Sequence, residues 1–583
     1  MSRRSNYDKQ PSIQVSTDSS ACFDGWAEIA EEIRKRIAEG ERTVIVAECY
    51  PGVSLEEVRL GLEALLAETA ICAEAALKSA AELNSMLEPF LGDDPVFGRM
   101  AAWELAPFFD AARTEKLRAA IAEAQGTVVI YGTGAAHVAQ SWNLLLYCDV
   151  TRWEIQRRQR NHVVGNLGAD NASASAAALY KRAYFVDWRA ADAEKHRLHR
   201  EIDFYIDTNL AEDPRMISGG NYKAALCKAT RRPFRVVPFF DPGPWGGEWM
   251  RRRFDLPEGP PNFAWCFDCV PEENSLRFSF GDRTVETPAL ALVHEHPEEL
   301  LGGEIVQRFG AEFPIRFDFL DTVEGGNLSL QVHPLREYIA EHFNMPYTQD
   351  ESYYLLDAGP DAVVYLGLKP GIDRSEMASE LEAAQAGGPS FPVEKYVNAW
   401  PVQKHDHVSI PAGTIHCSGK NSMVLEISAT PYIFTFKLWD WARLGLNGLP
   451  RPIHLRHGLA NIQWERDRDW VQKNLINPVR VVAEGDGWRE ETTGLHKLEF
   501  LETRRHWFTK PVLHDTRGTL NVLNLVEGEE AVVESPENAF DPFIVHYAET
   551  FIVPAHVGHY RISPIGKPDQ LLATMKAFVR SQG

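Results

Sequence analysis

Long apolar runs are absent from this sequence of 583 residues, and cysteine is scarce. No stretch of about 18 consecutive apolar residues occurs, so we predict no membrane-spanning helix. Only eight cysteines are spread along the chain, and one pair, Cys266 and Cys269, has CxxC spacing. Because a zinc ribbon needs two such pairs, this fold is not predicted.

Positive charge is also scarce, because 60 Lys and Arg face 82 Asp and Glu, giving a formal net charge of −22. Nucleic acid is therefore not predicted as a partner, since phosphate backbones require basic surfaces. A small phosphorylated ligand remains compatible, because it needs only a few local cations. The polar segment MSRRSNYDKQPSIQVSTDSS (1–20) lacks the apolar core of a secretory signal. Together with few cysteines, this predicts a cytoplasmic location.

The chain is too long for one hydrophobic core, and the pattern of apolar, proline and glycine residues changes along it, which predicts several domains. After residues 1–20, which are expected to be disordered, short apolar strands alternate with helices up to about residue 230. These strands are expected at 43–47, 127–132, 144–149 and 202–209. Such alternation is typical of a parallel α/β sheet, so we place an α/β domain at 21–230.

Beyond residue 230, proline and glycine become frequent and short β segments replace the helices. The segments FPIRFDFL, LSLQVHP, SYYLL, AVVYLGL, HVSIPAG and MVLEIS predict an antiparallel barrel or sandwich at 235–475, with a helical insert at 373–388. A weak echo links SIPAGTIHCSG (409–419) to FIVPAHVGHYRI (551–562). It predicts a second, degenerate β domain of the same kind, without metal, at 480–583.

Three residues of the first β domain form the main candidate site. His333 ends the strand LSLQVH, Glu351 opens the strand ESYYLL, and His416 follows the turn PAGT. Two imidazoles and a carboxylate suit zinc, manganese, iron or a similar divalent ion. Gln331 lies two residues before His333 and therefore shares its face of the strand, so its amide oxygen is a candidate fourth ligand.

These segments, with FTFKLWDWARLGLNGLPRPIH (434–454) and PWGGEWM (244–250), resemble the class I mannose-6-phosphate isomerases, which are zinc-dependent cupin enzymes. The resemblance implies a cupin-type β-barrel, one Zn²⁺ per chain, and interconversion of mannose 6-phosphate and fructose 6-phosphate through an enediolate. It implies that Gln331, His333, Glu351 and His416 bind the zinc.

The same resemblance assigns residues around the metal. Ser329 is expected near the substrate phosphate, and Lys437 occupies the position of the family's active-site arginine. Asp440, Arg443 and Arg451 belong to the same block. Lys437 and Asp440 are both candidates for the general base, and a phosphate clamp is an equally good role for Lys437. Arg443 and Arg451 are either phosphate ligands or solvated side chains.

Two positions depart from the family. Gln349 stands where the family usually has lysine, and Lys437 stands where it has arginine, whose bidentate fork lysine lacks. A non-catalytic, sugar-phosphate-sensing protein therefore remains an alternative, as does a metal-dependent cupin enzyme of another class, such as an iron oxygenase. We expect a sugar phosphate as partner and no membrane or nucleic acid, and self-association into homo-oligomers stays open.

In the N-terminal domain, RTVIVAECYPGVSLEEV resembles the strand–loop–helix start of a P-loop protein, and YCDVTRWEIQRRQRN resembles the lid of uridine-kinase-like proteins. The loop lacks the paired glycines and the lysine that contact phosphates. We therefore predict a degenerate P-loop kinase-like domain without ATPase activity. Three roles stay open for the basic run in this domain: binding of a phosphorylated ligand, a solvated helix face, or a part in oligomerisation or regulation. The run consists of Arg152, Arg157, Arg158 and Arg160.

Overall fold

A computed structural model describes residues 5–37, 41–63, 69–494, 496–566 and 569–580. The chain folds into two compact units, each of which contains a segment from outside its own main part of the sequence. The N-terminal unit consists of residues 12–229 and 272–296. The C-terminal unit contains 230–271, the chain from 297 onward and the described residues before Ser12. No helix among the described residues combines the length and apolarity needed to cross a bilayer.

The chain up to Ala229 alternates between strands and helices. The strands are β1 (Ile13–Ser16), β2 (Cys22–Asp24), β3 (Thr43–Cys49), β4 (Thr69–Cys72), β5 (Thr127–Gly132), β6 (Leu144–Asp149), β7 (Phe204–Asp207) and β8 (Arg215–Ser218). The helices are α1 (Gly25–Arg34), α2 (Leu55–Glu63), α3 (Ala80–Leu91), α4 (Ala111–Glu123), α5 (Ala135–Ala139), α6 (Arg152–Arg160), α7 (Ala176–Arg182), α8 (Trp188–Leu198) and α9 (Gly219–Ala229).

Seven of these strands form one mixed sheet in the order β2-β8-β7-β6-β3-β5-β4. The strands from β7 to β4 run parallel, whereas β8 and β2 join antiparallel at one edge. All residues of β3 and β6 are buried, as expected when both faces of a parallel sheet are covered. The predicted α/β sheet is confirmed, and all four expected strands are part of it.

The next part of the chain contributes to both units in turn. Its elements are β9 (Phe239–Asp241), α10 (Trp249–Phe254), β10 (Trp265–Cys269), β11 (Ser275–Phe280), β12 (Arg283–Pro288) and α11 (Leu290–Glu295). The hairpin β11–β12 belongs to the N-terminal unit, where β1 pairs parallel to β11. Residues 13–16 are therefore a strand, contrary to the expectation of disorder, because a distant hairpin supplies their partner. Residues 1–4 lie outside the described residues.

The first β domain follows. Its elements are α12 (Pro297–Leu301), α13 (Gly303–Phe309), β13 (Ile315–Asp321), β14 (Leu330–Val332), α14 (Arg336–Phe343), β15 (Glu351–Ala358), β16 (Val363–Leu368), α15 (Arg374–Gln385), α16 (Val393–Tyr396), β17 (Val397–Pro401), β18 (His407–Ile410), β19 (His416–Ser418), β20 (Ser422–Ala429), β21 (Phe436–Trp439), α17 (Leu455–Asn461) and α18 (Arg468–Asn474). The predicted helical insert is α15.

These strands form two antiparallel sheets, in the orders β18-β15-β20-β13-β10-β9 and β17-β16-β19-β14-β21. The expected barrel is corrected in this respect, because hydrogen bonding among the described residues does not close the strands into one ring. Bulges interrupt the register of β14, β15 and β16. A bulge leaves residues unpaired and bends the strand, so these irregularities interrupt the hydrogen bonding that would close one ring.

The C-terminal part of the chain builds a second pair of sheets. Their strands are β22 (Arg480–Gly485), β23 (Trp488–Thr492), β24 (Leu501–Phe508), β25 (Val512–Asp515), β26 (Asn521–Glu527), β27 (Glu530–Glu534), β28 (Phe543–His546), β29 (Thr550–Val553), β30 (His559–Pro564) and β31 (Leu572–Val579). The sheets have the orders β22-β23-β24-β31-β26-β29 and β25-β30-β27-β28. One apolar core, which includes Phe508, Phe551, Val533 and Ile562, draws residues from both sheets.

The two similar motifs, at 409–419 and 551–562, lie at equivalent positions in the two β domains. In the first domain, edge strand β18 of the larger sheet leads through a Pro-Ala turn to β19 of the smaller sheet. In the second domain, edge strand β29 of the larger sheet leads through Pro554 and Ala555 to β30 of the smaller sheet. The same path between sheets accompanies the same short motif, which favours a common architecture for both domains.

Candidate metal centre

The three predicted metal-binding side chains converge from two different sheets. His333 directly follows β14, and His416 is the first residue of β19, so both belong to the smaller sheet. Glu351 is the first residue of β15 in the larger sheet. Because each lies at a strand end, the rigid sheets rather than a flexible loop set their positions.

Glu351 lies between the two imidazoles. Its Oε2 is 2.9 Å from His333 Nε2, and its Oε1 is 2.8 Å from His416 Nε2. Within the described chain, these three residues form a group whose candidate ligand atoms all lie within 4.8 Å of one another. All three are at most 2% exposed, so the cluster is closed to bulk water.

The contacts of His416 indicate that a cation fits here. Its Nδ1 is 2.8 Å from the carbonyl oxygen of Thr414, so the ring proton belongs on Nδ1 and the Nε2 lone pair faces Glu351. Oε1 of Glu351 is buried and has no hydrogen-bond donor. Two acceptors in such close contact repel each other unless a positive charge lies between them. A divalent metal or a second ring proton supplies that charge.

Gln331 extends the donor set. Its amide nitrogen lies 3.3 Å from His416 Nε2. A half-turn of the amide exchanges nitrogen for oxygen at nearly the same place, and the oxygen would then face the cluster as a ligand. The fourth predicted metal residue is therefore within reach of the same point as the other three.

Strand pairing places Lys437 beside this cluster. Gln331 on β14 is directly opposite His416 on β19 on one side and Lys437 on β21 on the other. Directly opposite residues point their side chains to the same face of a sheet, and their Cα atoms are about 4.5–5.5 Å apart. Lys437, Gln331 and His416 thus form one row on the interior face.

Lys437 is half-buried and lies among other charged groups. Burial, together with the nearby guanidinium groups of Arg451 and Arg443, lowers the pKa of Lys437 to about 7, although Asp440 opposes the shift. An amine with such a pKa exchanges its proton readily near neutrality. The position therefore suits either a fixed cation or a proton acceptor.

The remaining predicted residues form a second cluster around Asp440. Ser329 Oγ donates to Asp440 Oδ1 at 2.8 Å, and Arg443 Nη2 donates to the same oxygen at 2.6 Å. Arg451 Nη1 donates to Asp440 Oδ2 at 3.1 Å and to Ser329 Oγ at 3.1 Å. One carboxylate thus holds two arginines, and the group keeps a net positive charge beside Lys437.

Sequence reasoning missed a buried charged network behind Glu351. Arg316 Nη2 donates to Asp318 Oδ2 at 2.7 Å, and its Nη1 donates to Glu426 Oε1 at 3.2 Å. Gln349 bridges from here to the metal cluster, because its amide donates to Glu426 and to Glu351 Oε2, both at 3.3 Å. Charged residues at alternating positions in the apolar strand IRFDFL were the available signal.

This network carries excess negative charge. Burial and the neighbouring Asp318 and Glu351 raise the pKa of Glu426 well above its usual range, although Arg316 opposes the shift. The surroundings of Glu426 therefore disfavour its charged form. A neutral Gln349 between two acids leaves this charge uncompensated, whereas a lysine there would neutralise part of it.

In the N-terminal unit, two backbone amides at the helix that begins after β5 are already occupied. Where a helix begins after β5, the backbone amides of Gly134 and Ala136 donate to Glu48 of the neighbouring strand, at 2.7 and 2.8 Å. These amides would be the phosphate donors of an anion-binding loop. Burial raises the pKa of Glu48 to about 8 despite these hydrogen bonds. The chain's own carboxyl group occupies the place of an anion.

The predicted basic run is largely bound within its own unit. Arg152 donates to the Glu272 carbonyl and pairs with Asp192. Arg158 pairs with Glu154 and donates to the Gly52 and Thr208 carbonyls. Arg157 pairs with Glu154, and the guanidinium group of Arg160 covers the ring of Trp153. These contacts favour a structural role for the run over ligand binding.

Comparison with known proteins gives two kinds of match. Residues 25–231 match a family model described as a domain of unknown function (DUF8485). The chain is also 25% identical over 235 residues to mannose-6-phosphate isomerase ManA of Bacillus subtilis (strain 168), covering 40% of this chain and 69% of the relative. It is 27% identical over 217 residues to mannose-6-phosphate isomerase of Streptococcus mutans serotype c (strain ATCC 700610 / UA159), covering 37% and 63%.

A solved structure of mannose 6-phosphate isomerase from Bacillus subtilis aligns with 59% of this chain and 99% of its own, at 17% identity and a TM-score of 0.48. The sequence similarity to mannose-6-phosphate isomerases extends over about 40% of this chain. The matched stretch is about two thirds of each relative's length.

Proposed function

We propose that this protein is a zinc-dependent isomerase that interconverts mannose 6-phosphate and fructose 6-phosphate. The observation that carries the proposal is the convergence of His333, Glu351 and His416, from separate strands, on one buried point. Four oxygen and nitrogen donors, counting Gln331, suit Zn²⁺ among divalent ions. The similarity to proteins named mannose-6-phosphate isomerase supports the substrate class.

Aldose–ketose isomerisation moves a proton between C1 and C2 and passes through an enediolate. When bound, the divalent ion would supply Lewis-acid stabilisation of the negative oxygen. Gln331, His333, Glu351 and His416 would hold the ion, and their burial excludes water. Excluding water from the cavity also strengthens every fixed charge in it.

Lys437 is the residue that we place against the developing negative oxygen. It lies in the same cross-strand row as Gln331 and His416, so it reaches the substrate beside the metal. The related family has arginine here, and arginine provides charge but no general base. We therefore assign Lys437 an electrostatic role. The competing assignment is a general base, and substitution of Lys437 distinguishes the two roles.

The second cluster is proposed to bind the substrate phosphate. Arg443 and Arg451 share one carboxylate, Asp440, so positive charge remains for an anion. Ser329 adds a hydroxyl group that already contacts Arg451 at 3.1 Å. Asp440 is a poor candidate for the base in this arrangement, because three side chains donate hydrogen bonds to its two oxygens.

A sugar-phosphate-sensing protein without turnover is the second candidate. Its specific support is Gln349, whose neutral amide bridges Glu351 and Glu426 where the related family usually has lysine. Without that ammonium group, the site would bind the ligand but stabilise the transition state less. Both candidates need the same metal and the same phosphate cluster.

The deciding experiment measures bound metal and conversion of fructose 6-phosphate by the purified full chain, with and without a chelator. We expect about one zinc per chain and turnover that is lost with chelator and in His416→Ala. The matched control is His559→Gln, which changes an exposed histidine in the second β domain. This variant should keep both the bound zinc and the turnover. Binding without turnover would favour the sensing role, and stoichiometric iron with oxygen uptake would favour an oxygenase.

A further inference from the structure

A separate cavity of about 810 Å³ lies in the C-terminal unit, and the metal ligands are not among its lining residues. It is bordered by segments around residues 308, 336, 347, 411, 466, 499 and 580. Its volume is in the range of small-molecule sites in proteins. The proposed isomerase chemistry does not use this cavity.

The cavity lies on the far side of the segment that carries Glu351. Gln349 and Glu351 point into the metal cluster, as their mutual hydrogen bond shows. Asp350, between them, lines the cavity instead and accepts a hydrogen bond from Ala412 at 2.8 Å. Alternate residues of an extended segment point to opposite sides, so the cavity and the metal centre are two different sites.

Arginines without an anion gather at this cavity. Arg308 and Arg336 both line it, and neither forms an ion pair with an acidic side chain of the described residues. Burial and the proximity of Arg336 and Arg580 lower the pKa of Arg308, although Glu304 opposes the shift, so both of these guanidinium groups lie near that of Arg308. Like charges held together in this way are stabilised when an anion binds between them.

Acidic side chains also line the cavity, and burial favours the neutral form of one of them. Burial raises the pKa of Glu499 well above its usual range, although Arg580 and Arg466 oppose the shift. Glu499 is 7% exposed, and its buried Oε1 has no hydrogen-bond partner. A protonated Glu499 offers a donor to an oxygen of a bound ligand. Glu337 and Glu465 are the remaining acids.

Aromatic rings form one wall. The ring of Phe309 lies 4.9 Å from that of Phe500 and 5.1 Å from that of Tyr347. The guanidinium carbon of Arg308 lies 4.9 Å and 5.0 Å from the Phe309 and Phe500 rings. Phe309 and Phe500 are half-buried and so keep accessible surface. Aromatic faces beside arginine form a platform on which a flat aromatic ring can stack.

We propose that this cavity is a binding site for a mononucleotide, with its phosphate between Arg308, Arg336 and Arg580 and its base against the Phe309–Phe500 wall. Cations and aromatic faces in one cavity match the two halves of such a ligand. A sugar phosphate would use only the cations, and inorganic phosphate would use them without any ring contact. The proposal does not depend on the activity of the metal centre.

The test is calorimetric titration of the full chain with adenosine monophosphate, inorganic phosphate and mannose 6-phosphate. We expect the nucleotide to bind at least about tenfold more tightly than inorganic phosphate, since base–aromatic stacking adds to the phosphate contacts. Arg336→Gln, at an exposed position that should not disturb folding, should weaken nucleotide binding about tenfold or more. Arg308→Gln combined with Arg336→Gln should weaken it further.

Two variants serve as controls. Arg252→Gln removes an exposed arginine of the same unit that pairs with Glu324 and should leave binding unchanged. His416→Ala should also leave nucleotide binding unchanged. The proposal is overturned if the wild type does not bind the nucleotide, if Arg336→Gln binds it as well as the wild type, or if His416→Ala abolishes binding. Equal affinity of the His416→Ala variant for mannose 6-phosphate and the nucleotide would overturn the assignment of the base.

Discussion

Lys437 and Gln331 are direct cross-strand partners on β21 and β14. This pairing puts an amine with a lowered pKa one strand away from a proposed metal ligand, on the same face of the sheet. Charge at this point would act on any oxygen of a substrate bound to the metal. The consequences are testable by changing the charge, the base strength and the metal separately.

Substitution of Lys437 separates its two roles. Lys437→Arg keeps the positive charge but provides no base at accessible pH, so we expect kcat to stay within about tenfold of the wild type. Lys437→Met removes the charge and should lower kcat by about 10²–10³. Steady-state assays with fructose 6-phosphate check both variants. If Lys437→Arg is as inactive as Lys437→Met, Lys437 is instead the general base.

Introducing lysine at position 349 should improve catalysis. In Gln349→Lys, an ammonium group would lie between Glu351 and Glu426 and offset their negative charge. Hydrogen bonds to charged groups contribute about 1.5–3 kcal/mol against about 1 kcal/mol for neutral ones, so we expect kcat/KM to rise about tenfold. Gln349→Met, which has no donor, is the control and should lower it. Unchanged kcat/KM in both variants would show that this position does not limit turnover.

Removing metal should destabilise the folded chain. A ligand at about 100 times its Kd stabilises by about 2.7 kcal/mol, so a chelator should lower the thermal unfolding midpoint of the wild type. The midpoint of His416→Ala should not respond to chelator, whereas that of the His559→Gln control should respond like the wild type. Identical responses of wild type and His416→Ala would place the bound metal elsewhere.

Arg466 should influence metal affinity without touching the metal. Its Nη1 donates to the carbonyl oxygens of Pro411 and Ala412, at 2.9 and 2.8 Å, and to Thr414 Oγ1. The Thr414 carbonyl in turn fixes the His416 ring. Loss of such outer contacts typically costs about 10–100-fold in metal affinity. We expect this loss in Arg466→Gln and a smaller one in Arg466→Lys, measured by competition with a zinc indicator.

Glu48 should make the stability of the N-terminal unit depend on pH. Its pKa is raised from 4.5 to about 8 on folding, so its stabilising effect is complete below pH 4.5 and declines as the pH rises to about 8. The slope reaches about 1.4 kcal/mol per pH unit. Glu48→Gln imitates the protonated form and should flatten this dependence.

Urea unfolding at several pH values between about 5 and 8.5 measures this effect. As the pH rises, the free energy of unfolding of the wild type should fall relative to that of Glu48→Gln. Glu115→Gln, which changes an exposed glutamate of the same unit, should show the wild-type pH dependence. Parallel curves for wild type and Glu48→Gln would contradict the raised pKa.

Local pattern was enough to predict the strands and the types of ligand. The apolar runs at 43–47 and 127–132 could be read as buried parallel strands because both faces of such a sheet are covered. His333, Glu351 and His416 could be selected because imidazole and carboxylate at strand ends have the chemistry of metal ligands. These properties depend on a residue and its close neighbours in sequence.

Relationships between distant segments were decided only by the tertiary structure. The partner of β1 is a hairpin far along the chain, and Glu48 occupies amides contributed by another strand and helix. The break between the two sheets of the first β domain follows from strand pairing and bulges. Local sequence fixes the periodicity and chemistry of side chains, whereas global packing decides which of them share a buried, water-free space.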